Sequence, residues 1–568
     1  EYYIPLNILI LFDAVALKRL PETGKISKQF LNFTGIMANP LKQLAGETAL
    51  YGLSTILARV INFLFVPFYT RLLSTESYGV VTEFMAYIAV LQVVLALGLE
   101  TGCFRFANRE GTDPDKVYSD ALAMVSFTGL GFLVLMVAFS GNIAGWLGYR
   151  GYGSCIMYMG GILACDSVTA ILFARLRQEH KALKFALLKT AKILTETAAN
   201  FALFFGLPAL CMKVAEASGL SVADLGPSDV WLLSFVSAEP DFSYVIFSIF
   251  ISCIVCLLLF IPDLVKFRFS FDRKLARQML LYSLPLMVAA LPGIINDFLD
   301  RILFRFFDTG SEVWQSSLGI FQAGVKISVI MSLFVQMFRF AAEPFFFQRA
   351  SDKGSKELYA VVMEYFTAFC GLIFLGVILY IDVISLILGR DFRAGISVVP
   401  IMLLSYMILG MLFNVSMWYK LSGRTGVAVY ITLAGLAVTA AVNIIFMPRY
   451  SYYAAAWGHL ASYLVMFIIS ILLGNRYYPI PYKWKRIACI FLAMGAACVL
   501  AGLADSMFFR NASFSSGAPA MAGKLAVNTV FILLYAGFVY LAVHRKNAAF
   551  LSGKQQDDQL GDDDPGKH

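Results

Sequence analysis

FSYVIFSIFISCIVCLLLFI, residues 242–261, runs for twenty positions without a charged side chain. At about 1.5 Å of rise per residue a helix of this length matches the hydrocarbon core of a bilayer. The apolar positions are continuous rather than alternating, which fits a helix that satisfies its own backbone and not a barrel strand. The remainder of the 568 residues repeats the pattern, with spans predicted near 46–72, 77–104, 117–140, 153–175, 184–207, 277–307 and 315–346. Further spans follow near 357–388, 397–420, 425–447, 452–474, 486–504 and 524–544, and the opening run belongs to one near 241–263. An all-α polytopic membrane protein with about fourteen transmembrane helices is therefore expected. Composition agrees: 59% hydrophobic residues, 14% charged and a mean hydropathy of +0.74 lie outside the balance of a water-soluble domain.

The net charge of +8 is spread through short loops and forms no compact basic, aromatic-interleaved patch, so nucleic acid is not an expected partner. Orientation accounts for it better. The loops on one side, with the C-terminus, carry roughly 25 Lys and Arg against roughly 7 on the other, which places both termini in the cytoplasm. The nine cysteines fall mostly inside apolar segments, and Cys253 and Cys256 sit in the opening run itself, where core packing is expected rather than a disulfide or zinc site. Only four histidines exist, His180, His459, His544 and His568, each near a helix end, in a loop or in the tail. No metal-ligand, nucleophile-triad or phosphate-loop pattern is present, and no enzyme is expected.

Residues 1–43 read as an N-terminal extension. Met37 directly precedes the first full membrane pattern and is expected to be the natural start. Residues 549–568 read as a disordered, acidic cytoplasmic tail.

An internal repeat organises the rest. Phe104-Arg105-Phe106-Ala107, ending the second span, recurs as Phe338-Arg339-Phe340-Ala341 about 234 residues further on, and Arg71 and Arg305 are separated by the same offset. Six spans fit in that interval. Two six-helix bundles, 44–265 and 266–475, related by a pseudo-twofold axis along the membrane normal, are expected, with 476–548 adding two helices.

These stretches resemble the polysaccharide or oligosaccharide flippases, O-antigen flippases among them, of the multidrug/oligosaccharidyl-lipid/polysaccharide exporter superfamily. The resemblance covers most of the chain from Leu44 and rests on ARVINFLFVPFYTRLLSTESYGVV (Ala58–Val81), LGLETGCFRFA (Leu97–Ala107) and FRFAAEPFFFQRA (Phe338–Ala350). It implies two bundles forming a V around a central cavity and alternating access. The implied cargo is a polyprenyl-pyrophosphate-linked oligosaccharide, moved from the cytoplasmic to the outer leaflet of a bacterial inner membrane for surface polysaccharide or lipopolysaccharide assembly. Implied partners are membrane lipids, glycosyltransferases and a polysaccharide polymerase. The alternatives are a cation-coupled multidrug exporter of the same superfamily and a membrane-embedded saccharide polymerase or ligase. The last would expose a large catalytic outer loop, and segment 208–240 contains neither histidine nor arginine.

A charged side chain at membrane depth costs several kcal/mol, roughly 2.5 to 3.5 on insertion scales, unless it faces water or a partner. Arg59, Arg301, Lys326 and Arg339 are the candidate cations for a pyrophosphate, Arg through its forked donors and Lys as a point charge. Arg59, in its Ala58-Arg59-Val60 context, looks like the position of a cavity arginine in the related lipid II flippases. Arg301 has Asp297 one turn away and Arg339 has Glu343, so structural pairing is the competing reading for both. Arg105 reads as an interfacial anchor, and Arg71 and Arg305 are expected to snorkel. Glu83, Asp297, Asp300 and Glu343 are the candidate carboxylates for coupling to a proton or sodium gradient; no cofactor is expected. Lys192 and Glu196 are correctly spaced to pair, with Asp166 and Lys189 nearby. Pro67, Pro285, Pro292 and Pro344 mark candidate hinges.

Overall fold

The computed structural model describes residues 56–57, 59–265, 270–350, 352, 354–508, 518–545 and 547. The expectations for residues 1–43, Met37 and 549–568, and for the first part of the first span, fall outside these residues. Among the described residues the structure is all-helical, and thirteen helices are long and apolar enough to cross a membrane.

The first span shows its later part as α1 (Val66–Leu72). Five helices follow: α2 (Thr75–Ala107), α3 (Pro114–Ala138), α4 (Gly153–Gln178), α5 (Ala182–Ser218) and α6 (Phe242–Val265). The second set is α7 (Arg273–Phe307), α8 (Trp314–Gln348), α9 (Ser355–Leu379), α10 (Arg390–Leu421), α11 (Val427–Tyr450) and α12 (Tyr452–Tyr477). Two further helices, α13 (Trp484–Phe508) and α14 (Ala518–Val539), complete the fold.

Helix starts follow local chemistry. Ser74 caps α2 by accepting from the Ser77 amide at 3.1 Å, and Asp113 and Asp272 cap α3 and α7 in the same way. Helix α2 breaks at Ala96–Gly98, where Leu97 and Gly98 take φ of 52° and 66°. The break brings α2 against α7, and a Cβ on Gly98 would stand 2.6 Å from the Ser283 carbonyl oxygen. Helix α5 runs further than hydropathy indicates. Pro208 lacks an N–H and its ring would crowd the Phe204 carbonyl, and the turn there, Ala202–Gly206, widens into a π segment that lets the helix continue to Ser218. Pro285 and Pro292 both lie inside the unbroken α7.

The two sets of six meet along α2, α7 and α8. At the end opposite the basic loops, α2 and α8 cross at Gly79 and Gly319. A Cβ on either would collide with the backbone carbonyl of Gln315 or Thr75 respectively, so this approach requires glycine on both sides. Beside the crossing, Thr75 and Ser316 share a hydroxyl hydrogen bond of 2.7 Å, and the Gly389 amide donates to Thr70 Oγ1 at 3.0 Å. At the basic end, the Asp272 amide donates to Asp120 Oδ1 at 2.9 Å, and the Arg105 guanidinium lies 4.1 Å from the centre of the Tyr282 ring. The halves are thus tied at both ends of the α2–α7 seam.

Helices α13 and α14 are clamped to the second half. At the basic end the fully buried Glu364 of α9 receives Arg486 at 3.2 Å and the Asn547 amide at 2.9 Å. At the other end Lys524 bridges Asp382 and Asp505 at 2.7 and 2.9 Å. All nine cysteines are free, and Cys253 and Cys256 are buried in α6 as packing residues.

Candidate functional site in the bundle centre

Arg59, Arg301, Lys326 and Arg339 form a line of neighbours rather than one cluster, Lys326 and Arg339 being about 20 Å apart along α8. Lys326 of α8 lies within electrostatic range of Arg301, Arg59 and Glu196, and Arg59 within range of Arg339 and of the Tyr406 hydroxyl. None of the four takes part in an ion pair among the described residues. Arg301 stacks on Phe298 with its Nε unpartnered, and Arg339 stacks on Phe413 at 5.0 Å. Asp297 makes no direct ion pair with Arg301, although it and Asp300 lie within electrostatic range of it; Asp297 accepts from the Tyr463 hydroxyl at 3.0 Å. Glu343 does not pair with Arg339; it is held by Lys420 at 2.6 Å. Arg59 is exposed.

Several other cations of the bundle are paired. Lys192 bonds to Asp166 of α4 at 2.6 Å rather than to Glu196, the partner that helical spacing offers. Asp166 on α4 presents a carboxylate across the α4–α5 interface, whereas Glu196 faces the bundle centre toward Tyr69 and Lys326. Glu196 is therefore a carboxyl group near Lys326 that helical spacing alone assigns elsewhere.

Arg305 does not snorkel. It turns inward and donates from Nε and Nη2 to both oxygens of Glu83 at 2.6 and 2.8 Å, across the seam between the halves. Glu83 is fully buried and also accepts from Tyr87 at 2.6 Å and Tyr149 at 2.5 Å. Burial, with Glu83 beside it, pushes the Tyr149 phenol well above its ordinary range and keeps it a donor. Glu83 is thus a lock between halves by its contacts, with no acceptor oxygen left free of a donor.

Asp297 and Asp300 open a polar nest between α7, α11 and α12. His459 Nε2 lies 3.4 Å from Asp300, and Asn296 accepts from Thr439 at 2.7 Å and Ser462 at 3.1 Å. Asp300 and Asn443 are fully buried, and both Asp300 oxygens, Asn443 Oδ1 and His459 Nδ1 lack hydrogen-bond partners. His459, read from sequence as a helix-end residue, sits well inside α12 and one face of that helix brings Ser462 and Tyr463 with it. The signal that points to it is the polar stripe His459, Ser462, Tyr463 in an apolar segment. No cluster of three or more His, Cys, Asp or Glu suited to a metal is present among the described residues.

The all-helical arrangement defines a class by fold: multi-helix membrane proteins that share the fold of solved flippase and multidrug transporter structures. The comparisons agree with the resemblance read from sequence. Residues 44–226 match the family described as polysaccharide biosynthesis protein. The chain is similar to the probable low-salt glycan biosynthesis flippase Agl15 of Haloferax volcanii, 20% identical over 459 residues, covering 79% of this chain and 88% of that one. Among solved structures, the fold is shared with the lipid II flippase MurJ in an inward closed conformation, at a TM-score of 0.65 and 14% identity over 86% of this chain and 98% of the other. A multidrug resistance MATE family transporter in an inward-facing conformation shares it at a TM-score of 0.51 and 13% identity, over 76% and 95% of the two chains.

Proposed function

We propose that the protein is a flippase that carries a polyprenyl-pyrophosphate-linked oligosaccharide from the leaflet at its basic end, taken as cytoplasmic, to the outer leaflet by alternating access, for surface polysaccharide assembly. The observation that carries the reading is the line of cations from Arg301 and Lys326 through Arg59 to Arg339, none of them in an ion pair among the described residues. Unpaired cations at membrane depth are costly and call for an anionic ligand. A pyrophosphate supplies that charge, and the saccharide would occupy the hydrated space while the lipid tail stays in the bilayer. The same four charges repel a cationic drug, which ranks the flippase above the multidrug exporter. The similarity to Agl15 supports a glycan-linked cargo. The two six-helix bundles, with α13 and α14 carried on the second, supply the moving parts.

The test is transfer of a fluorescent polyprenyl-pyrophosphate saccharide by the purified protein in liposomes. Arg59→Ala is expected to cut the initial rate by about tenfold or more at equal protein level, in line with loss of a charge-assisted phosphate contact. Normal transfer by the variant would remove Arg59 from the mechanism.

Coupling is assigned to Asp297 and Asp300, since Glu83 and Glu343 are committed to ion pairs. The buried Asp300 carboxylate, with free acceptor capacity and His459 beside it, suits a proton or a sodium ion. Asp300→Asn is expected to leave downhill transfer measurable but unresponsive to imposed proton or sodium gradients. A variant that still follows the gradient would move the coupling site elsewhere.

A further inference from the structure

Among the described residues, one buried side-chain amide has neither of its polar atoms partnered. Asn414 of α10 is 4% exposed, and neither its amide nitrogen nor its carbonyl oxygen has a partner among the described residues. Native structures leave a buried amide in that condition only for a reason. Asn414 lies on the wall of a cleft at the basic end between α8 and α10, together with Phe338, Arg339, Glu343, Phe413 and Lys420. The Glu343–Lys420 ion pair spans α8 and α10 on this wall. Arg339 makes no ion pair among the described residues. The cleft is partly open and its inner space is about 10 Å³, which admits about one water or one hydroxyl and not a sugar ring.

The donor and acceptor pattern narrows the occupant. A guanidinium only donates, so Arg339 matches a phosphate, which at neutral pH only accepts. Asn414 both donates and accepts, and a phosphate would satisfy its nitrogen and leave its oxygen bare. A hydroxyl satisfies both within that space. The group that a lipid-linked saccharide carries beside its phosphate is a substituent of the first sugar, and phenylalanine rings flank the cleft as apolar walls for the ring edge. An anionic phospholipid offers the same phosphate, with at most a glycerol in place of a sugar.

We propose that the α8–α10 cleft is a subsite that reads the sugar attached directly to the pyrophosphate, with Arg339 on the phosphate and Asn414 as the specificity-determining residue for a hydroxyl substituent. The proposal rests on the flippase reading above, and the experiment separates the two. The full-length protein in nanodiscs is titrated with polyprenyl diphosphate lacking sugar, with the same lipid bearing one N-acetylglucosamine, and with phosphatidylglycerol as competitor. The wild type is expected to prefer the sugar-bearing lipid by about tenfold or more, because a site built to hydrogen-bond a group rejects the analogue that lacks it. Phosphatidylglycerol in excess is expected to leave that preference in place. In Asn414→Leu the ratio of the two affinities falls toward unity, and in Asn414→Ser, which retains a hydroxyl in less volume, it is intermediate. An unchanged ratio in both variants overturns the proposal and leaves Asn414 to a bound water. Equal wild-type affinities for the two lipids, or loss of the preference to phosphatidylglycerol, overturn the subsite alone. Failure of the wild type to bind either diphosphate lipid overturns the flippase reading and the subsite with it.

Discussion

Arg305→Ala is expected to open the end of the molecule opposite the basic loops. Glu83 is fully buried between the halves, and Arg305 supplies its only cation among the described residues, with two charge-assisted bonds. Removing one partner of such a pair costs about 3 to 5 kcal/mol, because the other charge is left buried and uncompensated. The penalty falls on the closed arrangement, since separation of α2 from α7 returns Glu83 to water. The closed-to-open ratio should therefore drop by about two to three powers of ten. A cysteine placed at Ser316, beside the Gly79–Gly319 crossing, reads this as a gain in labelling by a membrane-impermeant maleimide over the same cysteine in the unmodified chain. The double variant Glu83→Gln, Arg305→Gln removes both charges together and should recover much of the closed population. Labelling that does not change in Arg305→Ala would mean that the glycine crossing alone holds this end shut.

Lys326→Glu is expected to abolish transfer. Lys326 has Arg301, Arg59 and Glu196 as its electrostatic neighbours and no carboxylate within bonding distance. Reversal of its charge sets a second anion beside Glu196 and pairs the neighbouring arginines internally, which closes the anion site from within. Removing a charge-assisted contact and adding a repulsive one together justify a fall in transfer rate of about a hundredfold or more. Lys326→Arg should keep most of the activity, because a fixed positive charge remains. Glu196→Gln, by contrast, should tighten binding of inorganic pyrophosphate, since it removes the anion that competes for the same cations. Activity retained in Lys326→Glu would place the cargo away from this centre.

The spans, their order and the two-part organisation are legible in the sequence because each depends on local hydropathy or on similarity at a fixed offset. FRFA at 104 and 338 marks equivalent helices, and both helices lie at the seam. The four cations are legible for a related reason: an arginine or lysine inside an apolar run advertises its own cost. Their freedom from carboxylates is not legible. Helical spacing offers Asp297 to Arg301, Glu343 to Arg339 and Glu196 to Lys192, and the fold declines all three in favour of Tyr463, Lys420 and Asp166. Each winning partner comes from a different helix, and its distance depends on how two helices cross. Arg305 shows the same limit, since the residue that draws it inward is 222 positions away. The π segment of α5 was within reach: Pro208 in an otherwise apolar helix is a local signal, but hydropathy counts it as an end.

Glu364 at one end and Lys524 at the other bolt α13 and α14 to α9. The machine is consequently lopsided, six helices working against eight. When two bodies joined at a seam rock in a viscous sheet, the one with the smaller footprint meets less drag and sweeps the larger arc. Under the alternating access proposed above, the first half would swing while the second serves as its ballast.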